Sequence, residues 1–108
     1  MNLTIIGGSG FVGSKLISEL KLTNCKILDK NPSYFFNSIT TIGDIRNKSE
    51  IIFNKNSNAI ILLAAEHRDD VSPTSLYYDV NVEGTRNVLE KMDEAGIKHL
   101  IFTSSVAI

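Results

Sequence analysis

The stretch Leu3-Thr4-Ile5-Ile6-Gly7-Gly8-Ser9-Gly10-Phe11-Val12-Gly13 decides the fold. A short β-rich apolar run stops dead at glycines, which reads as a buried strand with an abrupt end. From Phe11 to Leu20, the apolar residues Phe11, Val12, Leu16, Ile17 and Leu20 recur at helical spacing on one face, and Lys15 and Glu19 face away. The opening is therefore strand, glycine turn, helix, with Gly7-x-x-Gly10-x-x-Gly13 as the turn. Glycines permit a tight turn and let main-chain N–H groups approach a diphosphate. The helix that follows aims the positive end of its dipole at the same point. Gly13 is expected to let that helix lie close on the sheet. Taken alone, the pattern also suits a plain glycine turn between a strand and a helix.

Working outward, Lys26-Ile27-Leu28 reads as a second strand ending at Asp29, followed by the turn signal Asn31-Pro32-Ser33. Ser38–Ile42 reads as a third strand closed by Gly43-Asp44, and Asn47–Phe53 as a short helix starting near Asn47 or Ser49. Residues 54–58 form a polar loop. Ala59–Ala65 (AIILLAA) is apolar without alternation, as expected of a parallel strand covered on both faces. After a polar loop over 68–73, Ser75–Ala95 is the longest helical pattern, with Gly96 as its stop, and His99–Ser104 is a last strand. Alternating strands and helices predict an α/β domain: a Rossmann-type doubly wound parallel sheet of five strands in the order 3-2-1-4-5. A ligand is expected at the carboxyl ends of the strands, at the switch between strands 1 and 4.

Composition narrows the function classes. The chain has 108 residues, room for one domain, and is 43% hydrophobic and 21% charged. A net charge of −1, with scattered Lys and Arg, argues against nucleic acid as a partner. The single cysteine, Cys25, lies in an apolar stretch and reads as a buried, inert thiol. No run approaches the length of a membrane span, and no basic segment precedes the first apolar run, so a cytoplasmic protein with no membrane partner is expected. No Cys/His cluster has metal-ligand spacing, so no metal is expected.

Two acids extend the glycine signal. Asp29 lies 16 residues after Gly13, at the end of the second strand. A carboxylate there can accept hydrogen bonds from both hydroxyls of an adenosine ribose, and it repels a 2′-phosphate. NAD is therefore expected over NADP, although Lys30 beside it is a cation that tolerates phosphate. The alternative for Asp29 is a solvated strand-end charge. In Gly43-Asp44-Ile45-Arg46, Asp44 can hydrogen-bond an adenine amino group while Ile45 packs on the ring. The alternative there is a turn followed by a helix cap.

These residues, in this order, resemble the extended short-chain dehydrogenase/reductase superfamily, and within it the nucleotide-sugar epimerases and dehydratases. The resemblance runs from Met1 to Ile108. GGSGFVG over 7–13 is similar to the family's glycine turn, with Ile6 where the family usually has Thr. Asp29 matches the acid after strand 2, and Gly43–Arg46 matches a Gly-Asp-(Ile/Leu)-Arg loop. The most specific match is Asn81-Val82-Glu83-Gly84-Thr85-Arg86-Asn87-Val88-Leu89, close to Asn-Val-x-Gly-Thr-x-Asn-Val-Leu. By this resemblance Gly7, Gly10, Phe11, Val12, Gly13, Asp29, Lys30, Asp44 and Ile45 hold NAD. Leu63, Ala64 and Ala65 line its ribose and nicotinamide side, and Thr103 and Ser104 lie beside the nicotinamide. Asn81 braces the site, where the plainer alternative is a buried Asn satisfied by main chain, and Ser105 is the catalytic hydroxyl that polarises the reacting sugar oxygen. The resemblance implies transient oxidation of a nucleotide-sugar hydroxyl in the full-length relative. An alternative is a non-catalytic dinucleotide-binding sensor or interaction module.

The family's base is a tyrosine followed four residues later by lysine. Tyr34, Tyr77 and Tyr78 are followed at that distance by Ser38, Asn81 and Val82, so none is that base. Residues 1–108 are thus expected to be the N-terminal part of an NAD-binding domain, inactive alone, without the catalytic helix or the substrate domain. His67 and Arg68 follow strand 4. A substrate contact or proton-transfer role for His67 stands against a solvated loop histidine. His99 is expected to be structural. Leu100-Ile101-Phe102 should form an apolar sheet edge, and helix 75–95 has a wide apolar surface that includes Tyr77, Tyr78, Val82, Val88, Leu89 and Met92. A homodimer through that helix is expected.

Overall fold

The fold was obtained as a computed structural model, which describes residues 2–21, 24–54, 56–63 and 79–102. Five strands form one parallel sheet: β1 Leu3–Ile6, β2 Cys25–Asp29, β3 Thr40–Ile42, β4 Ala59–Leu62 and β5 His99–Phe102. Their order is β3-β2-β1-β4-β5, as the alternation of elements predicts. Helix α1 spans Phe11–Leu20 and helix α2 spans Thr85–Ala95.

The register explains why β1 and β4 carry no polar alternation. Ile5 sits beside Ile27 and Ile61, and Ile6 beside Leu28 and Leu62, so successive rows point to opposite faces of the sheet. Both faces are covered. On one side Ile6, Leu28, Ile60 and Leu62 pack with Val88 and Met92 of α2 and with Ile45 and Ile51. On the other, Ile5, Ile27 and Ile61 pack with Ile17 of α1 and with Leu3, Cys25 and Ala59. Cys25 is buried as expected, and that burial pushes its thiol pKa up.

Within this frame several local expectations need correction. The apolar side of α1 is narrower than its sequence suggests: Ile17 is buried and Leu16 half-buried, but Phe11, Val12 and Leu20 are exposed. Gly13 and Ile17 are one turn apart and form the contact row, which leaves Phe11 and Val12 on the rim of the glycine turn. Lys15 and Glu19 do face solvent and pair at 3.2 Å.

The third strand begins at Thr40, not Ser38, because Asn37–Ile39 coil into a 3₁₀ turn. Ser33 Oγ accepts from the Phe36 N–H at 3.0 Å, and Thr40 Oγ1 donates to the Phe36 carbonyl at 2.8 Å, so side chains compete with strand pairing there. The expected helix over Asn47–Phe53 reduces to one 3₁₀ turn at Lys48–Glu50. Glu50 reaches back to the Asp44 N–H at 3.1 Å and to Asn47 Nδ2 at 2.7 Å, while Ile51 drops into the core.

The long helix is not uniform. Asp79–Gly84 form a wider π-type turn that runs into α2. Val88 and Met92 are buried, whereas Val82 and Leu89 are exposed. Gly96 ends the helix as expected, at φ 74°. Its N–H donates to the Asp93 carbonyl at 3.2 Å, and the Ile97 N–H to that of Met92 at 2.9 Å. In β5, Ile101 and Phe102 are exposed, so the expected apolar edge is present. The expected helix start at 75–78 and strand residues 64, 65, 103 and 104 lie outside the described residues, and so do the loop over 68–73 and Tyr77 and Tyr78.

A closed ring of hydrogen bonds ties β1 to the loop before β4. The Asn54 N–H donates to Thr4 Oγ1 at 2.7 Å, and the Ser57 hydroxyl donates to the Asn54 carbonyl at 2.6 Å. By elimination the Thr4 hydroxyl donates to Ser57 Oγ at 2.8 Å. Thr4 is fully buried, so Thr4→Val leaves the Asn54 N–H with no acceptor. The expected loss is about 1–2 kcal/mol in urea unfolding. A variant as stable as the parent would count against the ring.

Candidate functional site

Three strands end at one edge, and their ladders continue one residue into the site. The Gly7 N–H donates to the Leu28 carbonyl at 2.8 Å, Gly43 to Asp29 at 2.9 Å and Leu63 to Ile6 at 2.7 Å. Gly7, Asp29, Gly43 and Leu63 are thereby aligned at the carboxyl ends of the strands, across the β1–β4 switch.

The glycines have different tasks. Gly7 has φ 84°, which an L side chain resists. A Cβ on Gly8 would come within 2.9–3.1 Å of Ile27 and Ile5, and one on Gly13 would lie 2.4 Å from Gly8 Cα. Gly13 therefore brings α1 onto the turn itself rather than directly onto the sheet. Around Gly10 there is room: the nearest atom to a Cβ would be the Gly7 oxygen at 3.6 Å. Gly10 is also the N-cap of α1, with no side-chain cap and no acid in the first turn. The first N–H groups of the helix are left for an anion. Beside them, Ser9 Oγ is buried without a hydrogen-bond partner. Uncapped amides, open space at Gly10 and an orphaned hydroxyl fit a diphosphate.

Asp29 is more than a solvated strand-end charge. It is half-buried, and its two oxygens accept from the Ser9 N–H at 3.0 Å and the Asn31 N–H at 2.9 Å. The carboxylate locks the glycine turn to the end of β2 and keeps further lone pairs for hydroxyl donors. The N–H groups of Ser9 and Asn31 were not among the residues singled out from sequence. The signal for them was the short distance along the chain from Asp29 to Asn31, and nothing local for Ser9. Lys30 is exposed next to this carboxylate.

The Gly43–Arg46 loop is tight. A Cβ on Gly43 would lie 2.6 Å from the Glu50 carbonyl oxygen. The Arg46 guanidinium grips Asp44, with Nη2 to Oδ2 at 2.6 Å and Nε to both oxygens at 3.1 Å. These hydrogen bonds hold the Asp44 carboxyl below its ordinary range, helped by the fields of Arg46 and Lys30. The lowered pKa means that the pairing is complete above about pH 4 and is lost as pH falls through the depressed value. Arg46→Gln should move the Asp44 titration up toward the ordinary carboxylate range in a ¹³C NMR pH series. An unchanged curve would count against the pair. The Ile45 side chain is 5% exposed and packs with the core beneath the loop. Beside it Asp44 is half-buried and Arg46 is exposed.

Sequence reading assigned no role to Asn87, in the middle of the most specific motif. From α2 its Nδ2 donates to the Ile45 carbonyl at 2.8 Å and the Arg46 carbonyl at 3.2 Å. Lys48 pairs with Glu90 at 3.1 Å and Glu94 at 2.6 Å, further along the same helix. Of the other expected site residues, Leu63 is half-buried at the strand edge, and the backbone of Asn81 lies in the Asp79–Gly84 turn. Ala64, Ala65, His67, Arg68, Thr103, Ser104 and Ser105 lie outside the described residues. Among the described residues no group of acidic, Cys or His side chains could hold a metal, and no helix is long and apolar enough to cross a membrane.

A parallel 3-2-1-4-5 sheet with a glycine turn and an acid at the end of β2 defines a Rossmann-type dinucleotide-binding fold. The profile of the 3-beta hydroxysteroid dehydrogenase/isomerase family matches residues 4–108, and the chain belongs to that family. It is 54% identical over 109 residues to the N-acetyl-alpha-D-glucosaminyl-diphospho-ditrans,octacis-undecaprenol 4-epimerase of Escherichia coli O157:H7, across 99% of this chain and 33% of the relative. It is 28% identical over 116 residues to the UDP-glucose 4-epimerase of Vibrio cholerae, across 99% of this chain and 35% of the relative. The UDP-glucose 4-epimerase of Thermus thermophilus, solved in complex with NAD, superposes with a TM-score of 0.83 at 25% identity, across 97% of this chain and 38% of that one. The chain spans about a third of the length of the curated relatives it matches.

Proposed function

We propose that this chain is the N-terminal, NAD-binding part of an epimerase that acts on a hexose carried by a diphosphate. The observation that carries the reading is Asp29, bonded to the glycine turn at Ser9 beside the uncapped N-terminus of α1. Main-chain N–H groups at the start of α1, those of Phe11 and Val12, would hold the dinucleotide's diphosphate, with Gly7, Gly10 and Gly13 shaping the turn around it. Asp29 would take the ribose hydroxyls, and its charge disfavours a 2′-phosphate, so NAD is the assigned cofactor over NADP even with Lys30 adjacent. Asp44 would meet the adenine amino group, and Leu63, Ala64, Ala65, Thr103 and Ser104 the nicotinamide side. Asn81 would brace the site and Ser105 would polarise the sugar oxygen. NAD supplies a hydride acceptor that returns the hydride to the same sugar carbon.

The two epimerase relatives are named for sugars on different carriers, a polyprenyl diphosphate and a nucleoside diphosphate. A diphosphate-linked hexose is what they share, and the higher identity favours the polyprenyl carrier. The exposed Val82 and Leu89, seven residues apart along the long helix, mark where a second copy would pack in a homodimer. The test is calorimetry on the whole protein with NAD and NADP, then incubation with N-acetylglucosamine on undecaprenyl diphosphate and on UDP. Saturable NAD binding, weaker NADP binding and inversion at C4 are expected. No heat at millimolar NAD would overturn the cofactor assignment, and no inversion of either sugar the substrate class.

A further inference from the structure

We infer that Asn87 is a positioning residue for the adenine end of the dinucleotide, an inference that rests on the cofactor reading above. Its side chain bridges two elements far apart in the chain, α2 and the loop after β3. One amide nitrogen has two hydrogens, and each finds a carbonyl: Ile45 at 2.8 Å and Arg46 at 3.2 Å. Both partners only accept, so the nitrogen and not the oxygen of Asn87 must face them. These carbonyls belong to the two residues that follow Asp44, the residue assigned to the adenine amino group. The loop's other restraints act on different atoms. Gly43 is held by the sheet ladder, the Asp44 N–H by Glu50, and the Ile45 side chain by the core.

Asn87 thus fixes the direction of the main chain where Asp44 turns outward. Val88, the next residue of α2, is fully buried, so the helix that carries Asn87 is itself anchored to the sheet. The Lys48 pairs to Glu90 and Glu94 are exposed and contribute little to that anchoring. Without the amide, the two carbonyls would turn to water, and the main chain next to Asp44 would lose its tie to α2, leaving Asp44 held by Glu50, Asn47 and Arg46 alone.

A selectivity ratio tests this on the whole protein. The probes are NAD and nicotinamide hypoxanthine dinucleotide, which differ at one edge of the base, where the amino group becomes a carbonyl and the adjacent N1 gains a proton. Wild type should prefer NAD. Asn87→Leu keeps the side-chain volume and removes both donors, and should weaken NAD about tenfold while weakening the hypoxanthine analogue far less. Asn87→Ala, which lets water reach the carbonyls, is the milder second variant and should shift the ratio the same way. Lys48→Met should leave the ratio unchanged. Equal weakening of both dinucleotides, or an unchanged ratio, would overturn the positioning role and leave the cofactor reading intact. A wild-type protein that binds neither dinucleotide would overturn both.

Discussion

Gly13→Ala is expected to cost about 3 kcal/mol, at the upper end of overpacking penalties. The added methyl would lie 2.4 Å from Gly8 Cα, 2.7 Å from the Gly8 oxygen and 2.8 Å from the Gly8 carbonyl carbon. All three are main-chain atoms, so no side chain can rotate out of the way. Gly8 has no room to retreat, because Ile27 and Ile5 stand behind it. Either α1 lifts off the turn, uncovering Ile17, or the turn deforms and loses the Gly7 link to β2. A domain of this size is stable by only about 5–15 kcal/mol, so the loss is a large share of the total. Gly10→Ala is the control. Its methyl meets only the Gly7 oxygen, at 3.6 Å, and it should cost about 1 kcal/mol or less as a poorer N-cap. Urea unfolding of the two variants side by side decides the matter. Equal losses would mean that the close approach of helix to turn is not what the glycine serves.

Asp29→Asn should weaken NAD binding by more than tenfold and reduce stability by about 2 kcal/mol. The carboxylate accepts from two main-chain N–H groups, one on each oxygen. An Asn side chain has one acceptor oxygen and one donor nitrogen. Whichever way it sits, its NH₂ confronts either the Ser9 or the Asn31 N–H, and a charge-assisted bond becomes a donor–donor contact. The glycine turn then loses its tie to β2. The same change removes the negative charge that opposes a 2′-phosphate, so NADP should weaken less than NAD and the preference between them should narrow. Calorimetry with both dinucleotides measures this, with urea unfolding for the stability part. Undiminished NAD affinity would remove Asp29 from the site.

What residues 1–108 determined by themselves was everything encoded by neighbours along the chain. The strand–glycine–helix opening, the β2 strand ending at Asp29, the continuous apolar β4 and the Gly96 stop are each written in a few consecutive residues, through side-chain periodicity and backbone sterics. Sheet order followed because each short strand alternates with a crossover. Tertiary structure decided the rest. Ile45 reads in sequence only as an apolar loop residue, and the packing of the sheet and α2 puts its side chain in the core. The segments over 38–42 and 47–53 carry strand and helix propensity, but Ser33, Thr40 and Glu50 divert their main chain with side-chain hydrogen bonds. Asn87 reaches carbonyls about forty residues away in sequence, and Thr4 closes its ring with residues about fifty away. Such partners depend on strand register and helix placement to within an ångström. No local pattern carries that information, because a hydrogen bond between distant segments exists only once the packed core has set their separation.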